Sequence, residues 1–188
     1  NESVFAYAAQ HAEIRTVVIS SPWITQVSPS SGVKLLRKTG LVNAQFEVLS
    51  PSVLTTLEQL KLTVERWRQV GKQVVLVAPP PSDGSELGAC WERSLRGQLT
   101  LGAELDCALN RASYEGKRSE VLKFLSSVES GLAIPMIRFD AQLCGTTTCA
   151  TSSSGDVLYR DSGHFTHAGS LRLAQNMNWA ATLRKAAP

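Results

Sequence analysis

"PSVLTTLEQLKLTVERWRQVGKQVVLVAPPP", residues 51–81, carries two periodicities back to back. Over 51–70, Val53, Leu57, Leu60, Val64 and Trp67 recur every three to four residues. That spacing lays one apolar stripe of an α-helix against a core. Ser50 is placed to cap this helix, Pro51 suits its first turn and Gly71 ends it. The period then changes. "QVVLVAPP" reads as a buried strand, stopped by Pro79, Pro80 and Pro81. A helix followed at once by a buried strand is the signature of an α/β crossover.

The same pattern extends outward in both directions. "TVVIS" (16–20) is a second continuous apolar run and reads as a buried strand of a parallel sheet, while "SVFAYAAQ" before it reads as a helix tail. "WITQVSPSSGVKLLRKTG" (23–40) reads as irregular loop. Downstream, 83–118 mixes Gly, Cys and charge and reads as loop with a helical part. "SEVLKFLSSVES" is an amphipathic helix, and "AIPMIRF" (133–139) is a third strand whose Pro135 marks a sheet edge or a strand start. A helix over about 168–184 closes the chain. Three strands with helices between them predict an α/β fold, a three-layer α/β/α sandwich with a mainly parallel sheet, in one domain over 1–188.

A chain of 188 residues is long enough for one such core. Its 43% hydrophobic and 19% charged content is ordinary for a globular protein. The net charge is only +3, and the Lys and Arg are scattered, so no nucleic-acid partner is expected. No apolar run approaches the roughly 20 residues needed to span a bilayer, and there is no signal-peptide pattern. A start at Asn1 without Met predicts a processed or excised piece. The four cysteines fall into two local pairs: Cys144 and Cys149 in "LCGTTTC", and Cys90 and Cys107 around "WERSLRGQLTLGAELD". Each pair can close a surface loop, worth about 2–4 kcal/mol as a disulfide, which favours an oxidising compartment. A four-Cys zinc site fits the spacing poorly. Four buried thiols are the other alternative.

"VLYRDSGHFTHAGS" (157–170) holds the chemistry. In nucleophilic acyl transfer a His takes the proton of a Ser or Cys, and a carboxylate holds that His in the right tautomer. Asp161 and His164 are three residues apart, so one loop can supply both. They lie after the last strand and before the last helix, where open α/β sheets put their sites. Simpler readings exist. Asp161 can cap the final helix or the turn before it. His164 and His167 can ligate zinc with His11 or a carboxylate, although His-x-x-His suits a helix less well than an i, i+4 pair. We expect neither metal nor cofactor. His167 reads as a helix-start residue, Trp67 as core, Trp23 as core or site wall, and Arg160 as a surface or substrate-binding residue.

The block resembles the last sequence block of the SGNH (GDSL-like) hydrolase superfamily. The finer resemblance is to the periplasmic SGNH domain fused to acyltransferase-3 membrane proteins, which O-acetylate bacterial surface polysaccharides. Those domains commonly end "lC…C…g…lYrDxxHLSxxGa"; this chain reads "LCGTTTCATSSSGDVLYRDSGHFTHAGS", with Phe165 and Thr166 in place of Leu and Ser. "TVVISSPWITQ" and "VVLVAPPPSDGSELGACWERSL" resemble that family's strand followed by a Trp, and its next strand, Pro turn and first Cys. The resemblance implies Asp161 as orienting acid, His164 as general base, a serine mechanism without cofactor, and a periplasmic domain tethered to the inner membrane by a preceding membrane domain.

The same resemblance exposes a gap. The family's nucleophile is the Ser of a "GDS" turn after the first strand, and this chain contains no "GDS". It also contains no Gly-x-Asn-Asp for the oxyanion hole; "SSPWI" stands there, which makes Trp23 a candidate site wall. The expectation is therefore a domain lacking its Ser-bearing first strand, completed by a second chain or another segment. Three functions follow. The first is transfer of an acetyl group, relayed by a membrane acyltransferase domain, to a polysaccharide hydroxyl. The second is a secreted carbohydrate esterase with the same residues and water as acceptor. The third is a non-catalytic glycan-binding or structural module in which Asp161 and His164 only cap a helix.

Overall fold

A computed structural model describes residues 2–38, 45–98 and 106–185. In chain order the elements are α1 (Glu2–Gln10), β1 (Thr16–Ser20), α2 (Ile24–Val27), β2 (Leu35–Lys38), β3 (Phe46–Leu49), α3 (Val53–Gln69), β4 (Gln73–Val77), α4 (Leu87–Leu95), β5 (Leu109–Asn110), α5 (Arg111–Lys117), α6 (Ser119–Gly131), β6 (Met136–Ile137), α7 (Asp140–Leu143), β7 (Thr148–Cys149), β8 (Ser152–Ser153), β9 (Asp156–Val157), α8 (His167–Asn176) and α9 (Trp179–Lys185). The chain falls into two compact units, one of residues 1–78, 120–136 and 183–188, the other of 79–119 and 137–182.

The first unit is built on the expected crossover. β1 and β4 run parallel in register from Thr16 opposite Gln73 to Ser20 opposite Val77, and the sheet order is β1-β4-β6. β4 is central, and Val74 to Val77 are buried on both faces, which is why its sequence is unbroken apolar. Leu60, Val64 and Trp67 of α3 and Val121, Phe124 and Val128 of α6 close over Val74 and Leu76. β1 is apolar yet only partly covered: Val18 is 50% exposed, because β1 is the sheet's edge among the described residues. The result is a mixed α/β fold with a parallel sheet and helices, as the periodicity predicts.

Several local expectations are corrected. Ser52, not Ser50, caps α3, accepting from the Thr55 N–H at 3.0 Å, so Pro51 lies just outside the helix. Gly71 does end it, at φ 72°. The segment read as loop at 23–40 holds α2, a 3₁₀ turn at Pro29–Ser31 and strand β2, which pairs antiparallel with β3. That hairpin exposes Leu36, Phe46 and Val48, so its strands lack the apolar/polar alternation that announces a half-buried sheet. The strand expected over 133–139 shrinks to β6, because Ala133 has φ 47° and Pro135 has no N–H to give the ladder. The closing helix is two helices, broken where Asn178 adopts φ 48°.

The second unit contains both disulfides, Cys90–Cys107 and Cys144–Cys149. They tie α4 and β7, respectively, to the connections that follow or precede them. Its core includes Tyr114, Phe139, Leu158 and Tyr159, with Phe165 set edge-on against Phe139 and Tyr159.

Ser52→Ala should cost about 1 kcal/mol through the lost cap, a fall in Tm of about 2–4 °C for a chain of this size. Ser50→Ala should leave the melting curve unchanged. Thermal denaturation of both variants checks the assignment.

Candidate active site

The 157–166 segment folds back on itself before α8 begins. The Thr166 N–H donates to the Leu158 carbonyl and the Arg160 N–H to the His164 carbonyl, both at 2.8 Å, while Tyr159 and Phe165 form an antiparallel bridge. Tyr159 anchors the turn from below. It is buried, its hydroxyl donates to the Pro81 carbonyl at 2.8 Å, and burial pushes its phenol up, so it stays protonated and donating. Thr166 makes the exit. Its hydroxyl donates to the Val157 carbonyl at 2.8 Å and accepts from the Gly169 N–H at 2.9 Å, capping α8. Asp161 is therefore not the helix cap.

What Asp161 caps is the turn itself. Its Oδ1 accepts from the Gly163 N–H at 2.9 Å and the His164 N–H at 2.8 Å. The His164 Nδ1 lies 2.9 Å from Oδ1 and 3.0 Å from Oδ2. The Gly163 N–H, followed by the His164 ring and backbone, holds the Asp161 carboxyl well below the usual carboxylate range, against the opposing effect of burial. A carboxylate held ionised has only acceptors, so Nδ1 of His164 is the donor and Nε2 is left as the free base. The His164 side chain is 68% exposed, and Nε2 has no partner among the described residues. A proton-accepting nitrogen is thus oriented from behind and open in front.

Neighbouring segments fix where this turn stands. The buried Ser82 hydroxyl donates to the Ser162 carbonyl. Arg118 secures Ser82 through Nε to its carbonyl at 2.9 Å and Nη2 to its hydroxyl at 3.3 Å. α4 passes so close that a Cβ on Gly88 would stand 1.9 Å from the Arg160 carbonyl oxygen, and α8 begins so close that one on Gly169 would stand 2.7 Å from that of Leu158. Only glycine fits at either place. Ser82, Gly88 and Arg118 had no signal in the sequence beyond the turn composition of "PPPSDGS"; their role depends on partners distant in the chain, Ser82 on Ser162, Gly88 on Arg160 and Arg118 on Ser82.

Of the other expected residues, Arg160 is an exposed neighbour of the dyad, its Nη2 3.3 Å from Asp161 Oδ2. Trp23 belongs to the first unit. It is 7% exposed, packs on Phe124 with ring centroids 4.8 Å apart, and stands at the start of α2 with φ 60°. It also lines a groove of about 380 Å³ with Ile19, Leu35 and Leu60. No cluster of three or more His, Cys, Asp or Glu side chains able to hold a metal occurs among the described residues, and all four cysteines are in disulfides. No described helix is long and apolar enough to cross a membrane.

The family model of the SGNH domain (fused to AT3 domains) matches residues 1–178. No curated protein matches the chain. Among solved structures the chain is similar to the periplasmic domain of the lipopolysaccharide acetyltransferase of Salmonella ser. Paratyphi A, with 16% identity and a TM-score of 0.61, covering 96% of this chain and 61% of that one. At that identity the likeness concerns the fold, and the present chain spans 61% of the other's length.

Gly88→Ala should force the 160–164 turn to move, costing about 1–3 kcal/mol and shifting the His164 ring resonances. Gly116→Ala, on a helix with nothing within 4 Å of the new Cβ, should stabilise by up to about 1 kcal/mol and leave those resonances in place. Denaturant titration and histidine NMR on both variants test this.

Proposed function

The chain belongs to the SGNH domains that are fused to AT3 domains, and on that premise we propose that it supplies the acid and base of an O-acyltransferase acting on a bacterial surface polysaccharide. The observation that supports this best is the Asp161–His164 pair: a carboxylate on Nδ1, an unengaged Nε2, and one short turn that holds both. In the reaction, Nε2 of His164 takes the proton of a serine hydroxyl as its oxygen attacks the acyl carbonyl. The proton passes to the leaving group, and an acyl-serine forms. Nε2 then takes the proton of a sugar hydroxyl, whose oxygen attacks the acyl-serine. The ester moves to the sugar and the serine regains a proton from His164. Asp161 offsets the positive charge of the imidazolium in both halves.

The nucleophile on this reading comes from outside residues 1–188, on a segment or second chain that also adds the first strand of a single SGNH-like domain. The open edge of β1 with its exposed Val18 is suited to receive a strand. An AT3 membrane domain would deliver the acetyl group, and work in the periplasm would suit the two disulfides, which are stable in an oxidising compartment. Arg160, exposed beside the dyad, is the candidate to touch an acyl donor or acceptor. The exposure of His164 also suits water as the acceptor, which is the esterase reading.

The test is acetyl transfer by the complete protein, compared with release of free acetate. His164→Ala should abolish transfer with little change in the melting curve, and Asp161→Asn should lower kcat by about 10²–10⁴ with a small fall in Tm, because the turn loses its charge-assisted cap. A fluorophosphonate adduct should map to a serine outside 1–188 and disappear with His164→Ala. Free acetate as the main product identifies an esterase. Full activity in His164→Ala, or an adduct on a serine within 1–188, refutes the assignment.

A further inference from the structure

We propose that the cleft between α4 and the β7–β8 segment is a saccharide-binding groove for the glycan acceptor, an inference that rests on the acyl-transfer reading. The cleft has a volume of about 360 Å³ and is lined by Trp91, Ser94, Asp106, Thr148, Thr151 and Ser152 among others, within the range of small-ligand sites. A sugar ring offers a flat C–H face and a rim of hydroxyls. It is met best by an aromatic face and by short polar side chains not already committed elsewhere.

The cleft supplies both. The Trp91 Nε1 donates to the Thr151 hydroxyl at 3.1 Å, and that hydroxyl donates to the Cys107 carbonyl at 2.7 Å. The indole is thereby pinned by one edge, and the ring is half-buried. Asp106 uses Oδ1 for the Ala108 N–H at 2.9 Å, and its Oδ2 is uncommitted. The hydroxyls of Ser94, Thr148 and Ser152 make no hydrogen bond among the described residues. Among the described residues no Lys or Arg lines the cleft, which favours neutral, hydroxyl-rich ligands over phosphates and acidic ones.

The walls are also rigid. Cys90, next to Trp91, is bonded to Cys107, next to Asp106. Cys149, next to Thr148, is bonded to Cys144. Side chains held this way lose little freedom when a flexible glycan binds. The groove is continuous with the dyad along the chain. Ser152 pairs with Val157 across the β8–β9 hairpin, the Val157 carbonyl accepts from Thr166, and Asp161 and His164 lie on the turn between Val157 and Thr166.

The experiment is saturation-transfer NMR on the complete protein with maltohexaose, cellohexaose, xylohexaose and de-O-acetylated Salmonella O-polysaccharide as probes. At least one should bind. Trp91→Ala should weaken that binding by about tenfold or more, Thr148→Trp should block it, and Trp91→Phe should retain most of it. Melting curves of the variants identify any that fail to fold, and Thr148→Trp, at an exposed position, keeps the test open if Trp91→Ala does. No binding of any probe, or binding indifferent to both Trp91→Ala and Thr148→Trp, overturns the groove. Binding that behaves as expected in a protein without transferase activity upholds the groove and refutes the acyl-transfer reading. Transfer whose KM is unaffected by Thr148→Trp refutes the groove alone.

Discussion

The Asp161 carboxylate is the constraint on which the candidate site depends. It accepts from two successive-turn N–H groups and from an imidazole at once. Each bond is charge-assisted, and all three partners lie within three residues of the acceptor, so closing the loop costs little chain entropy. The same contacts explain the carboxyl's low proton affinity. A depressed carboxyl contributes stability above its ordinary range and loses it only as pH falls through the lower folded value. The turn is therefore fully held wherever an imidazole can act as a base. The dyad does not wait for distant segments to assemble; its internal geometry is written into four residues.

Position is a separate matter from geometry, and it is set by close packing. The 81–88 segment meets the 158–164 segment through the Tyr159 hydroxyl, the Ser82 hydroxyl and the bare Cα of Gly88. Two of these are hydrogen bonds to backbone carbonyls, and the third is an approach that no side chain permits. Arg118 adds a charged donor pair behind Ser82. A turn that is self-sufficient in shape is thus fastened to its surroundings by the Tyr159 hydroxyl and the Ser162 carbonyl, and neither the Asp161 carboxylate nor the His164 ring takes part in that fastening.

How much of this could be read in the sequence follows from where each signal resides. The α3–β4 crossover was legible because both its periodicities come from burial against one core. The dyad was legible because its spacing is local. Ser52 and Ser50 are alike by composition, and only the Thr55 N–H distinguishes them. The β2–β3 hairpin was missed because its exposed Leu36, Phe46 and Val48 erase the alternation. The strand at 133–139 was overread because apolar content hides the positive φ of Ala133. Ser82, Gly88 and the Trp91–Thr151 bond depend on partners 60 or more residues away, and no window along the chain contains both halves.

A site that keeps acid and base on one turn reduces the assembly problem to a single long-range step. In a triad drawn from three distant segments, every member needs its own anchor, and an error of about 1 Å in any of them lowers the rate. Here the Asp161–His164 distance is fixed by covalent proximity and two backbone N–H groups, so only the reacting partners must be brought to Nε2. Under the acyl-transfer reading those partners are a serine ester and a sugar hydroxyl. Because Nε2 is exposed, the turn itself does nothing to exclude water. Preference for a sugar over water must then come from holding the sugar, and the groove proposed above, joined to the turn along the chain through the β8–β9 hairpin, would do so.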